Sequence, residues 1–113
     1  MTYAVRIAER ALEQIESYRQ FIALKRQAPI SAQRWVDKVF DSIDDLATFP
    51  KRYPLAPENA KTTYDVRMRP VGDYLILFHV DDASRTVWVL GFRHGHRRPR
   101  RSELPKEPPS ASP

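Results

Sequence analysis

The sequence predicts a small α+β domain in which a strand, a helical hairpin and three more strands follow one another, the hairpin packing on a mostly antiparallel four-stranded sheet. Three observations lead there. The N-terminal TYAVRI alternates apolar and polar residues, two stretches with helical spacing are separated by only a few residues around Pro29, and three apolar runs follow after Thr62 with short turns between them.

In TYAVRI, Tyr3, Val5 and Ile7 share one face, the period of a half-buried strand. From Ala8 the spacing becomes helical, with Ala11, Ile15, Tyr18 and Ile22 on one side. Acidic residues open this helix and Lys25 and Arg26 close it, as the helix dipole favours. Ser31 stands where an N-cap belongs, ahead of a second helical run through Ala32, Trp35 or Val36, Val39, Ile43 and Leu46. The short connection predicts antiparallel helices, and the second must end before Pro50.

FPKRYPLAPENAK, with three prolines, reads as a connecting loop. TTYDVRMRP then alternates Tyr64, Val66 and Met68 against Asp65, Arg67 and Arg69, which predicts both arginines on the face opposite the apolar one. A tight turn at Val71–Asp73 leads into YLILFHV, apolar enough for a central strand covered on both faces, and TVWVLGFR is the last strand. The tail PRRSELPKEPPSASP holds half of the chain's ten prolines and little to bury, so disorder is expected from residue 99 onward and a folded domain over residues 1–98.

The charge is uneven. Residues 1–92 hold 13 basic and 12 acidic side chains, and residues 93–113 hold 6 and 2, so four of the five net positive charges lie at the C-terminal end. That describes a basic patch rather than a basic protein. The absence of cysteine excludes disulfides, thiolate metal sites and cysteine nucleophiles. No window approaches a membrane span and the N-terminus lacks a signal-type apolar core, so the expectation is a cytoplasmic protein without membrane contact.

The chemistry-bearing residues form three groups. Arg67 and Arg69, with Arg93, Arg97 and Arg98 around the end of the last strand, suit phosphates and carboxylates equally well. Charge at a sheet edge also serves simply to prevent strand addition. His94 and His96 form an HxH pair without further ligands nearby, so neither a metal nor any other cofactor is expected, although either imidazole could act as a general base. Tyr18, Phe21, Trp35 and Phe40 stud the helical hairpin, and any part left uncovered would offer a partner an apolar groove.

The element order, together with VRMRPVGDYLILFHVDDASRTVWVLGFRHGHRRP, resembles the RelE/ParE superfamily of toxins from type II toxin–antitoxin modules. The resemblance runs from TYAVRI to about Pro99 and includes the AERAL helix start, the LATFPKRYPLAPEN loop and a last strand ending in His-Gly-x-Arg. It implies one of two activities: ribosome-dependent mRNA cleavage, as in RelE-like members, or inhibition of DNA gyrase, as in ParE-like members.

The RelE-like catalytic set is incomplete here. Arg67, Arg69 and Arg97 match its basic positions, but Leu75 stands where an arginine is expected, and no tyrosine follows the arginine cluster. The resemblance therefore implies a ParE-like gyrase inhibitor, with Arg67, Arg69, Arg93, His94, His96, Arg97 and Arg98 meeting the target. A cognate antitoxin would silence it through Tyr18, Trp35, Arg67, Arg69 and Arg97, and operator DNA would be reached only through that antitoxin. The alternative is an mRNA endoribonuclease built on His96, Arg97 and Arg67, and a further one is a module member that only binds antitoxin.

Overall fold

Alternation at the N-terminus becomes strand β1 (Ala4–Ile7), and the two helical stretches become α1 (Glu9–Gln20) and α2 (Pro29–Asp44). Strands β2 (Arg67–Val71), β3 (Tyr74–Asp81) and β4 (Thr86–His94) follow, with short helical turns between α2 and β2, in a computed structural model that describes residues 2–96 and 104–109. The sheet order is β1-β4-β3-β2, with β1 parallel to β4 and the other pairs antiparallel. The expected α+β fold is the one observed.

Several boundaries differ from the sequence reading, and β2 begins only at Arg67 and takes in Val71 of the expected turn. Helix α2 starts at Pro29 rather than after Ser31, because proline's fixed φ suits the first helical position and its missing N–H has no partner to lose there. Helix α1 gives way after Gln20 to a wider π-helical turn over Phe21–Lys25, and Gln27 closes the connection with a left-handed φ of 50°.

The helices bury Ala11, Ile15, Val39, Ile43 and Leu46 against Ile76, Phe78, Val87, Val89 and Phe92 of the sheet. The opposite face is covered too, by a smaller cluster of Ala56, Val66, Leu77, Leu90 and Leu104. Strand β3 therefore faces apolar neighbours on both sides, as its near-continuous apolar run predicts.

Disorder was the expectation for the whole tail, and Leu104 departs from it: it is only 7% exposed. It covers the outer sheet face beside Gly91, and the Tyr64 hydroxyl donates to the Pro105 carbonyl at 2.6 Å. Leu104 thereby covers apolar surface of the outer sheet face, in one cluster with Leu77 and Leu90.

A bulge in β4 decides which side chains face where. Leu77 pairs with Gly91 and Phe78 with Val89, so Leu90 is an extra residue on β4. Before it, Val87 and Val89 face the helices; after it, Phe92 does. Since β1 ends opposite Val89, the Phe92 N–H lacks a strand partner and donates instead to the Gln14 side chain of α1 at 2.8 Å.

The same inversion turns Arg93 to the outer face, where it is 4% exposed and meets Glu58, itself 1% exposed. Arg93 Nε donates to Glu58 Oε2 at 2.7 Å and Nη2 to Oε1 at 3.3 Å. The pair fastens the Pro57–Lys61 turn to the end of β4. Arg93 was expected at a target-binding surface, and its burial in this forked ion pair corrects that expectation.

Flanking loops pair with β2 along its outer edge and with the residues that lead into β1. Met68 N–H donates to the Pro54 carbonyl and Ala56 N–H to Val66 along the outer side of β2, while Tyr3 N–H donates to Ala47 beside β1.

Glu58→Ala should remove the carboxylate from a desolvated guanidinium and destabilise the fold by about 3–5 kcal/mol in urea denaturation. Replacing both partners, Glu58→Leu with Arg93→Met, should recover most of that loss. A loss below about 1 kcal/mol in the single variant would mean that the pair is solvated in solution.

Candidate functional site

Where β2 turns into β3, Val71 pairs with Tyr74 across a two-residue turn, and Gly72 supplies the positive φ of 59° that this turn needs. Gly95, just past β4, donates its N–H to the Asp73 carbonyl at 2.7 Å. A Cβ at Gly95 would stand 3.1 Å from that oxygen, so the close approach of the two segments favours glycine. The end of β4 is thereby pinned to the β2–β3 turn, and His94 and His96 are carried with it.

Beside this junction the helices and sheet present four aromatic rings. Tyr18 lies edge-on to Tyr74 at 4.9 Å, Trp35 edge-on to Tyr74 at 5.4 Å, and Tyr74 stacks on Phe92 at 5.2 Å. Phe92 is buried, while Tyr18, Trp35 and Tyr74 remain half-buried and wall a cleft of about 480 Å³. Burial raises the Tyr74 hydroxyl above the ordinary phenol range, with the neighbouring Tyr18 adding to the effect. Phe21, 48% exposed on the π-helical turn, stands at the rim with Arg26, Asp73 and His94.

His94 packs edge-on against Tyr74 at 5.1 Å, and its Nδ1 accepts the backbone N–H of His96 at 3.1 Å. In this geometry Nδ1 carries no proton, so the neutral ring holds its hydrogen on Nε2. His96 is exposed, and its ring centre lies 5.1 Å from that of His94. His79 sits far from both in sequence and is a satisfied structural residue: its Nδ1 lies 2.7 Å from the Asp65 carbonyl.

The arginines of β2 are not an open basic face. Their strand positions pair with Phe78 and Ile76, which places them on the helix-covered side of the edge strand. The alternation in TTYDVRMRP is as expected, but the face opposite Val66 and Met68 is the layer beneath the helices rather than solvent. Arg67 Nη1 donates to the Tyr53 carbonyl at 2.8 Å and to the Lys51 carbonyl at 3.3 Å. Arg69 reaches Asp45 at 3.3 Å and lies over the Tyr53 ring at 5.2 Å, with its Nε buried and without a partner.

Asp45 gathers these contacts. It accepts from the Tyr53 hydroxyl at 2.9 Å and from Arg52 at 2.5 Å as well as from Arg69. The Tyr53 hydrogen bond holds its carboxyl below the usual aspartate range; burial opposes it, and Arg69 and Arg52 add to the lowering.

The sequence-selected residues are thus divided. Tyr18, Trp35, His94 and His96 meet around one end of the sheet, Arg67 and Arg69 belong to the Asp45 network at its edge, Arg93 is buried, and Arg97 and Arg98 lie outside the described residues. Asp45, Tyr53 and Glu58 escaped the sequence reading. Only Glu58 left a trace, as a lone acid inside the proline-rich LAPEN stretch. Among the described residues no three His, Cys, Asp or Glu side chains gather to hold a metal, and no helix is long and apolar enough to cross a membrane.

Because the folded carboxyl of Asp45 is depressed, its contribution to stability is complete above the ordinary aspartate pKa and fades as pH falls through the lower folded value. Asp45→Asn should therefore melt below wild type at neutral pH, with the difference closing below about pH 4. A difference that persists unchanged into acid would locate the effect in packing instead.

The comparisons agree with this architecture. The family model described as the ParE toxin of the type II toxin–antitoxin system parDE matches residues 5–99. A chain of the chromosomal ParDE system from P. aeruginosa superposes with a TM-score of 0.63 at 13% identity, over 81% of this chain and 95% of that one. A chain of the toxin–antitoxin complex RelBE2 from Mycobacterium tuberculosis superposes with a TM-score of 0.55 at 25% identity, over 83% and 99%. No curated protein matches in sequence. With the matched region running from β1 to beyond β4, the chain belongs to the ParE toxin family of type II toxin–antitoxin systems.

Proposed function

We propose that this toxin acts by binding rather than by bond cleavage, that its target is DNA gyrase, and that a cognate antitoxin neutralises it. The observation that carries this reading is the employment of its strand arginines. Arg67 is spent on loop carbonyls and Arg69 on Asp45, so two cations that a ribonuclease would aim at a phosphate hold the protein together instead, and Arg93 beside them is taken by Glu58. Leu75, which pairs with Arg93 across the sheet, adds no cation there. The ParE family match supports the gyrase target over the ribosome.

The antitoxin is proposed to seat apolar side chains in the cleft walled by Tyr18, Trp35 and Tyr74, with Phe21 and the Arg26 side chain at its rim. The ParDE and RelBE2 likenesses, both from toxin–antitoxin systems, support such a partner. An amphipathic segment entering between aromatic rings would bury apolar surface that the isolated toxin leaves half open.

A second reading, ribosome-dependent mRNA cleavage, is favoured by one feature: His96 is exposed and adjoins His94, as a general base would need. The two are separated by adding the purified protein to gyrase with supercoiled plasmid and, in parallel, to a translating extract. The expected outcome is plasmid trapped in a broken, gyrase-linked form with the message left intact. Cut messages that disappear with His96→Ala, together with untouched plasmid, would reverse the assignment. Trp35→Ala should weaken antitoxin binding at least about 10-fold in a titration, the loss typical of a central aromatic anchor.

A further inference from the structure

At the other end of the sheet from the aromatic cleft, Phe49 is displayed to solvent in a conformation that an aromatic residue rarely adopts. Its φ and ψ are 45° and 55°, in the left-handed region, and its side chain is 72% exposed. Nothing about its own burial explains why a bulky residue is kept there. The surrounding contacts hold it firmly all the same: Thr48 bridges to Thr2, Pro50 is buried, and the Arg52 guanidinium donates to the carbonyls of both Thr48 and Phe49 while pairing with Asp45.

Phe49 forms one wall of a cleft of about 780 Å³ shared with Tyr3, Pro50, Lys51, Arg52 and Arg85. Arg85 also has a positive φ, 51°, and lies over the Tyr3 ring at 4.6 Å. Two residues with left-handed backbones from separate loops therefore line one groove, Arg85 being tied to the start of β1 by the hydrogen bond from Ala4 N–H and Thr48 bridging to Thr2 just before it. Such strain persists where the surrounding structure enforces it, and it concentrates at binding sites.

The groove's lining decides its occupant. Its floor and walls are aromatic and proline carbons, while three cations and no carboxylate line it. Lys51 is paired with Asp82 and Arg52 with Asp45; Arg85 also helps to lower the Asp82 carboxyl but, among the described residues, forms no direct ion pair. We infer that the Phe49 groove is a second protein-docking surface, taking an acidic segment that inserts a large apolar side chain beside Phe49 and sets a carboxylate against Arg85. Tyr74 and His94 mark one end of the sheet and Asp81 and Thr86 the other. At about 3.3 Å per residue along β3 the two surfaces stand roughly 20 Å apart, so one partner at each can be held together. This surface does not depend on which cellular target the toxin has.

The test is a selection of short random peptides on the immobilised full chain, after depletion on the Phe49→Asn variant. Asparagine adopts the left-handed conformation more readily, so this variant should melt at or above wild type while lacking the anchor. The expected survivors carry one large apolar residue flanked by Asp or Glu. As labelled synthetic peptides read by fluorescence anisotropy, they should bind Phe49→Asn at least about 10-fold more weakly and Arg85→Ser about threefold more weakly. Absence of survivors, survivors without that composition, or affinity for Phe49→Asn equal to wild type would each overturn the proposal. A DNA duplex whose affinity falls with Phe49→Asn while no peptide's does would overturn it in favour of nucleic acid.

Discussion

One extra residue in β4 sets the arrangement of everything at the C-terminal end of this sheet. Without Leu90 as a bulge, the alternation that places Val87 and Val89 under the helices would carry Arg93 into the apolar core and Phe92 out of it. With it, Phe92 joins the aromatic stack, Arg93 finds Glu58, and His94 returns to the side of Tyr74. Gln14 completes the device by accepting the N–H that the shortened β1 leaves without a strand partner. The fold and its candidate binding surface thus depend on the same local irregularity.

A second constraint is how few of the strand cations are free. A basic sequence with arginines alternating along a strand suggests a phosphate-binding sheet, yet each described strand arginine at the candidate site has a protein acceptor. The Asp45 network joins the end of α2 to the edge strand, and the Glu58 pair joins the proline-rich loop to β4. Exposed members of such networks contribute little each, whereas the buried pair is costly to break. Among the described residues, what remains for recognition is aromatic and apolar surface with cations at its margins, a character suited to protein partners.

The element order, the central position of β3 and the inward faces of both helices were legible because each rests on periodicity. Ala11 and Ile15, or Val39, Ile43 and Leu46, repeat at the helical interval and are buried accordingly. The aromatic cleft was half legible: Tyr18 and Trp35 stood out as hairpin aromatics, but their meeting with Tyr74 needed the fold. The roles of the arginines were not legible, since alternation says which residues share a face and not what lies above it. Nor could sequence reveal the bulge at Leu90, because a single unpaired residue leaves the apolar pattern of TVWVLGF intact. Leu104 was hidden for a related reason: one leucine in a proline-rich tail has no periodicity to announce that it packs.

The proposed division between fastening arginines and recognising aromatics is tested most directly at Arg69, whose guanidinium links Asp45 and Tyr53 but lies away from the aromatic cleft. Arg69→Met keeps much of the aliphatic volume and removes the charge. Unfolding midpoint and gyrase inhibition should be measured on the same preparation. A lowered midpoint with undiminished inhibition per folded molecule is the predicted result. An unchanged midpoint with inhibition lost would contradict it and return Arg69 to the target interface.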